Sequence, residues 1–276
     1  MDFKTIEYAT DGLLAILTLN RPDKLNAING QMVADLNAAL DAAEADEHVR
    51  VILLNGNGRA FSAGFDLDGG ADAGDHIALR KELREDFDII MRFWDSPKIT
   101  IAAVHGYCLG SAMEMAVACD LTIAAEGCRF GAPEVKFGSG IIALVLPWFI
   151  GPKRAKELLL TGIDDLSAET AGDYGLVNRV VPGAELMECA RSLANDIARN
   201  DSLAVRLTKQ AINRGYDIAG MRQALLQALE IDTIVEGTET DESRQFNQVL
   251  EKDGVRAAVA WRDARVRGAS DDAQGE

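Results

Sequence analysis

Apolar residues in the first half of the chain recur at spacings that predict strands and helices in turn. Two β-prone runs, residues 6–8 and 14–19, flank the dipeptide Asp11-Gly12 and predict a hairpin. Residues 31–45 carry apolar side chains at helical spacing, and residues 49–54 form a nearly continuous apolar run before a glycine-rich turn. The pattern therefore predicts a hairpin, a helix and a buried strand in that order.

The same alternation continues to residue 125. Residues 77–94 and 110–119 predict helices, whereas residues 99–104 and 121–125 predict strands that are almost wholly apolar. Such strands are buried on both faces, which is typical of a sheet covered by helices. The pattern therefore predicts an α/β core.

After about residue 200 the periodicity predicts helices only. They cover residues 202–214, 218–236, 240–250 and 255–265. Ser202 and Thr240 are the predicted N-caps of the first and third of these helices. A helical region of this kind forms either a lid or an association surface.

These observations divide the chain into three parts. Residues 1–200 form the predicted core, and residues 201–267 form the helical C-terminal region. Residues 268–276 are small, polar and acidic, and we expect them to be disordered.

Charge and composition narrow the class of protein. The formal net charge of −16 argues against non-specific nucleic-acid binding, which depends on lysine and arginine side chains. No apolar run reaches the roughly 18 residues of a membrane span, and the N-terminus lacks the order of a signal peptide. We therefore expect a soluble, cytoplasmic protein without nucleic-acid or membrane partners. The 4 cysteines and 3 histidines show no metal-ligand spacing, so no metal site is predicted.

Two glutamates stand among small and apolar residues. Glu114 lies in the predicted helix at residues 110–119, and Glu134 follows Gly131-Ala132-Pro133. A carboxylate in apolar surroundings is costly unless it is paired, hydrogen-bonded or protonated. Two carboxyl groups that converge on one pocket have their proton affinities pushed apart, as acid–base catalysis at neutral pH requires.

Several segments in a consistent order resemble the enoyl-CoA hydratase/isomerase (crotonase) superfamily. They are LNRPDKLNA at residues 19–27, GRAFSAGFDL at 58–67, ITIAAVHGYCLG at 99–110 with Glu114 after it, FGAPE at 130–134, and AGDYGLVNRVV at 171–181. The resemblance covers about residues 5–215 and extends more weakly to 265. It implies a spiral of ββα repeats with a helical C-terminal trimerisation region, assembled as a trimer or a dimer of trimers.

The resemblance also implies the chemistry. The substrate would be an acyl-CoA thioester, so coenzyme A enters as part of the substrate and no separate cofactor is expected. Two backbone N–H groups, those of Ala63 and Ser111 by position, would stabilise the enolate. Glu134 would be the main acid and Glu114 the base that activates water, which predicts hydration of a 2-enoyl-CoA to a 3-hydroxyacyl-CoA. The sequence supports the Ser111 donor independently of the resemblance. The N–H groups at the start of the predicted helix are free and carry the positive end of the helix dipole.

Further residues are expected to contact the coenzyme A or acyl part of the substrate. By their positions in the motifs they are Lys24, Ala60, Phe61, Ser62, Gly64, Phe65, Asp66, Leu67, Gly110 and Ile141.

Other functions stay open at this point. A double-bond isomerase of the same family needs only one carboxylate. A hydrolase that cleaves a C–C bond in a cyclic β-diketone or β-keto thioester is suggested by the altered pocket, where the segment 138–147 departs from the family pattern and carries bulky apolar residues. Many relatives also have glycine where this chain has Ser111, whose side chain narrows the space. A non-catalytic RNA-binding protein on this scaffold is disfavoured by the charge of −16.

Overall fold

The computed structural model describes residues 2–66, 75–254, 257–262 and 264. Strands β1 (Ile6–Asp11) and β2 (Leu14–Leu19) form the predicted antiparallel hairpin. Helix α1 (Gly30–Ala45) then leads to β3 (Val51–Gly56), which pairs in parallel with β2.

The next elements confirm the predicted alternation and add two short strands to it. In chain order they are α2 (His76–Asp95), β4 (Ile99–Val104), β5 (Tyr107–Leu109), α3 (Ser111–Ala118), β6 (Leu121–Ala125) and β7 (Arg129–Gly131). Strands β5 and β7 pair in parallel with each other and were not predicted from the pattern.

The segment before the C-terminal helices contains elements that the apolar pattern did not predict. They are α4 (Leu146–Thr161), β8 (Leu166–Ser167), α5 (Ala168–Tyr174), β9 (Arg179–Val181) and α6 (Leu186–Ala198). Among the described residues the strands form a six-stranded sheet in the order β1-β2-β3-β4-β6-β9 and a small sheet in the order β5-β7-β8.

Both faces of the four inner strands, β2, β3, β4 and β6, are buried, which explains why these strands are largely apolar. On one face, Leu54 and Ala102 belong to the large hydrophobic cluster that includes residues of α1, α2 and α3. On the other face, Leu53 and Ile101 pack in a second cluster with the apolar side of α6. The site described below lies on the side of the large cluster, because α3 packs there.

The C-terminal region includes, among its described residues, the helices α7 (Ser202–Ile218), α8 (Met221–Glu236) and α9 (Asp241–Asp253). The predicted capping role of Thr240 is confirmed, and its side chain accepts from the Ser243 N–H at 3.0 Å. The predicted N-cap Ser202 is wrong: the Asp201 carboxylate accepts from the Ala204 N–H at 2.8 Å, and Ser202 is already the first helical residue.

The C-terminal helices share a hydrophobic core with the α/β part. Met221, Leu225 and Leu229 on one face of α8 belong to the large cluster. Residues 257–262 of the predicted last helix are helical, and the tail at 268–276 lies outside the described residues. The division of the chain at residue 200 stays a prediction. No helix within the described parts is long and apolar enough to cross a membrane.

Candidate active site

A cavity of about 500 Å³ opens where the start of α3, the loop at residues 59–66 and the segment after β7 meet. Both predicted glutamates, Glu114 and Glu134, line it. Of the other predicted site residues, the lining includes Lys24, Ala63, Gly64, Phe65, Asp66, Gly110 and Ser111. The structure thus brings together residues that are up to 110 positions apart in the sequence.

Glu114 lies in the first turn of α3 and is only 3% exposed. The backbone N–H of Ala143 donates to its two carboxylate oxygens at 3.2 and 3.3 Å. Burial and the nearby charge of Glu134 raise the pKa of Glu114 well above its usual range. The Ala143 N–H acts in the opposite direction, because it stabilises the ionised form.

Glu134 begins a short 3-10 turn, Glu134–Lys136, that follows β7. Its Oε2 is buried and has no hydrogen-bond partner within the described ranges. Burial raises the pKa of Glu134 to about 7. The carboxyl group lies directly over Gly110, so that a methyl group at position 110 would collide with Oε1. Gly110 also has φ +57°, and both facts require glycine before α3.

Two polar groups of Ser111 face the site and have no partner among the described residues. Ser111 is the first residue of α3, and its N–H has no acceptor in the part of the chain that the structure describes. Its hydroxyl oxygen is buried and also lacks a hydrogen-bond partner there. The free N–H is the group that an anionic oxygen would bind at a helix start.

The second predicted N–H donor needs correction. The Ala63 N–H donates to the Leu25 carbonyl at 3.0 Å, so this group is already satisfied by the protein. The Gly64 N–H donates to the Ser62 hydroxyl at 3.2 Å, and the Asp66 N–H donates to the Ile28 carbonyl at 2.8 Å.

Within residues 61–66, Phe65 is therefore the residue whose N–H remains without an acceptor in the part of the chain that the structure describes. Phe65 lines the cavity, and the neighbouring Gly64 lies beside the start of α3. A methyl group at Gly64 would lie 3.5 Å from the Ser111 nitrogen. The loop and the helix start are thus adjacent, and the Phe65 N–H replaces that of Ala63 as the candidate donor.

The remaining predicted contacts divide into four groups. Lys24 and Asp66 line the cavity, and the Asp66 carboxylate forms an ion pair with Arg21 at 3.0 Å. Three residues are buried and are not part of the cavity wall: Ala60, Phe61 and Ser62. Ile142 lines the cavity in place of the predicted Ile141. The predicted Leu67 lies outside the described residues.

Two acidic residues near the site were missed from the sequence. Both come from α8: Glu236 lines the cavity and accepts from the Gly140 N–H at 3.1 Å. Asp232, one helical turn earlier, is 2% exposed. Burial, followed by the charge of Glu236, raises the pKa of Asp232 to about 7. The sequence could have indicated a buried acid here, because Asp232 lies three residues after Leu229 and therefore on the same buried face of α8.

Comparisons with known proteins identify relatives of this chain. A family model described as enoyl-CoA hydratase/isomerase matches residues 10–254. A probable enoyl-CoA hydratase of Mycobacterium tuberculosis is 34% identical over 262 residues, covering 91% of this chain and 97% of the relative. The 2,3-dehydroadipyl-CoA hydratase of Escherichia coli is 34% identical over 242 residues, covering 86% of this chain and 92% of the relative.

Solved structures give the same result. The crystal structure of an enoyl-CoA hydratase/isomerase from Xanthobacter autotrophicus Py2 superposes with a TM-score of 0.92 at 48% identity. That match covers 96% of this chain and 99% of the solved chain.

Proposed function

This chain belongs to the enoyl-CoA hydratase/isomerase family and has the crotonase fold, and we propose that it adds water to a 2-enoyl-CoA to form a 3-hydroxyacyl-CoA. One observation carries the proposal: the buried Glu114 and the half-buried Glu134, whose Oε2 is itself buried, line the same cavity as the Ser111 N–H, which has no acceptor among the described residues. Hydration needs one group to take a proton from water and another to give a proton to carbon. An isomerase would need only one of the two carboxyl groups.

The N–H groups at the site favour negative charge on the thioester oxygen. When the water oxygen bonds to the β-carbon, the electrons of the double bond move through the α-carbon to this oxygen. The N–H groups of Ser111 and Phe65 donate to it in our proposal, and the dipole of α3 adds to the stabilisation. Each such donor contributes about 3 kcal/mol to transition-state stabilisation.

The two glutamates divide the proton transfers between them. In the proposed ground state the pair shares one proton, which lies on the Glu134 carboxyl group, whose Oε2 has no partner among the described residues. A neutral Glu134 no longer raises the pKa of Glu114, and the Ala143 N–H then stabilises the ionised form of Glu114. Glu114 then accepts the proton of the attacking water, and Glu134 protonates the α-carbon as the enolate collapses. The two carboxyl groups are coupled, because the charge of one raises the pKa of the other.

The direct test measures loss of the enoyl thioester absorbance with 2-enoyl-CoA substrates of different chain lengths and of branched and cyclic acyl groups. We expect wild-type hydration of at least one substrate, with product mass increased by one water. Glu114→Gln and Glu134→Gln should each lower kcat by about 100-fold or more, the usual contribution of a general acid or base. The exposed Glu126 at the end of β6 provides the matched control, since Glu126→Gln should leave the rate unchanged.

The same variants distinguish hydration from isomerisation. With 3-enoyl-CoA substrates, an isomerase would shift the double bond without adding water. It would also tolerate Glu114→Gln while losing activity in Glu134→Gln. That result, together with no hydration of any 2-enoyl-CoA by the wild type, would overturn the proposal.

A further inference from the structure

Asp232 is a buried acid whose side chain is unsatisfied. It lies on the core-facing side of α8, where Met221, Leu225 and Leu229 precede it, and neither carboxyl oxygen has a hydrogen-bond partner in the described ranges. Its Oδ1 faces the Cα of Gly140, so that a methyl group on Gly140 would collide with it. A buried carboxyl group without hydrogen-bond partners destabilises the folded protein. Its presence here therefore calls for a functional explanation.

The segment that Asp232 contacts is bonded to the other acids of the site. The Gly140 N–H donates to Glu236, and the Ala143 N–H donates to Glu114. The Ser139 N–H donates to the backbone carbonyl of Glu134 at 3.1 Å. Residues 139–143 therefore join α8 to both proposed catalytic glutamates.

The charges around Asp232 are nearly all of one sign. Glu236 faces it from its own helix, Glu114 from α3, and Glu134 from the 3-10 turn after β7. From α2, the His76 ring lies beside Gly237 at the end of α8. Within the described residues, none of the ion pairs involves any of these four acids.

Acids grouped in this way cannot all ionise at neutral pH, so the group retains protons. After burial, the charge of Asp232 is among the causes that raise the pKa of both Glu114 and Glu134. Asp232 therefore acts on both glutamates through space, although it is not part of the cavity wall.

We propose that Asp232 is a positioning residue of this site: a third carboxyl group, supplied by the C-terminal helical region and lying against Gly140, that keeps a proton on the Glu114–Glu134 pair. Its effect on the reaction rests on the proposed hydratase function. Its effect on the proton affinity of the glutamates does not.

The first experiment therefore needs no substrate. Glutamate side chains labelled with ¹³C at the carboxyl carbon are titrated by NMR in wild type and in Asp232→Asn, and the signals of Glu114 and Glu134 are assigned with the glutamine variants. Asparagine has nearly the same shape but no charge, so Glu134 loses its proton more easily. We expect its titration to move to lower pH by about half a unit or more.

A matched control and a second variant guard against a folding effect. Glu230→Gln changes an exposed acid two positions away on α8, which is ion-paired with Arg80, and should leave the titration of Glu134 unchanged. Asp232→Leu continues the apolar face of α8 and should shift the titration in the same direction as Asp232→Asn. Thermal unfolding checks that each variant is folded.

The second experiment uses the reaction. If Glu134 must carry a proton, the alkaline fall of kcat/KM in Asp232→Asn should move to lower pH by the same amount, so that the variant loses more activity at pH 8 than at pH 6. A purely structural role would lower activity equally at both. An unshifted Glu134 titration in folded Asp232→Asn and Asp232→Leu would overturn the proposal. Absence of hydration in the wild type would instead overturn the proposed function, and the titration would still decide the role of Asp232.

Discussion

At the scale of single residues, the proposed stabilisation of the enolate depends on one backbone N–H group at the start of α3. Ser111 offers an N–H without an acceptor among the described residues, and its position as first helical residue explains why that group is free. Proline lacks this N–H and yet fits the first position of a helix. We expect Ser111→Pro to lower kcat/KM for hydration by about 100-fold or more, the loss typical of one oxyanion donor.

The matched variant is Ser111→Ala, which keeps the N–H and removes only the hydroxyl group. We expect it to stay within about tenfold of the wild-type rate, because a neutral hydroxyl contributes less than the aligned amide. Melting temperatures of both variants check the fold. An equal loss in alanine and proline variants would assign the effect to the side chain.

The protonation of Glu134 leads to a second prediction at this scale, on how activity depends on pH. Burial raises the pKa of Glu134 to about 7, and the proposed reaction needs its protonated form. Activity should therefore fall as the pH rises above about 7, since Glu134 then loses its proton. Hydration rates at saturating and at low substrate, measured from pH 6 to pH 9, check this dependence. A rate that stays constant to pH 9 would contradict the role of Glu134 as the acid.

The sequence identified some site residues and missed others for physical reasons. Glu114 and Glu134 were recognisable because each is flanked by small or apolar residues that cannot pair with a charge. The exchange of Ala63 for Phe65 was not foreseeable, since the acceptor of each N–H depends on how the loop meets residues 25–28. Asp232 was missed because its proximity to Glu134 is created only when α8 packs beside the segment 139–143.

At the scale of elements, the sequence pattern predicted the helices and strands in which apolar and polar positions are clearly distinguished. Strands β2 and β4 and helix α2 have dense apolar faces and were placed to within one residue, whereas the mostly exposed β1 extends three residues beyond its predicted run. Helix α4 contains Pro147, Gly151 and Pro152, which normally interrupt a helix, and the structure does bend there, with φ +75° at Gly151. Helix α6 buries mostly alanine, a residue that gives little contrast in a hydrophobicity pattern.

The capping box of α9 supports a helix that packs beside the site. Phe246 of α9 contacts Phe137, three residues after Glu134, with ring centroids 5.3 Å apart. Thr240→Ala removes the cap, and we expect the free energy of unfolding to fall by about 1 kcal/mol. Chemical denaturation measures the change. Thr208→Ala, at an exposed position inside α7, should cause no loss, and an equal loss there would contradict the capping argument.

At the scale of the whole molecule, α7 and α8 leave large apolar side chains exposed. They are Leu203, Leu207, Ile212, Ile218, Ile231 and Ile234. Exposed apolar surface of this kind on neighbouring helices is typical of an association surface. We expect sedimentation velocity to show a trimer or a dimer of trimers, and Ile234→Asp to shift the protein toward smaller species. Leu160→Asp, at an exposed position on α4, tests whether that shift is specific, and a monomeric wild type would exclude the assembly.

The acids of the site also set how the stability of the whole chain depends on pH. Burial is the first cause that raises the pKa of Glu114, Glu134, Asp232 and Glu236. The folded protein therefore holds more protons than the unfolded chain between about pH 4.5 and pH 7. Because the folded state binds the extra protons, its stability is highest below this window and decreases as the pH rises through it.

We expect the free energy of unfolding to be lower at pH 8 than at pH 5.5 by at least about 1 kcal/mol. Urea denaturation at both pH values measures the difference. Self-repulsion of a chain with net charge −16 acts in the same direction, but salt screens it, so the measurement is repeated at about 0.5 M salt. The double variant Glu134→Gln/Asp232→Asn removes two of the buried acids and should retain a smaller difference at either salt concentration. An undiminished difference in that variant would mean that these acids are paired or solvated in solution, and the proton-retaining group inferred from their burial would not exist.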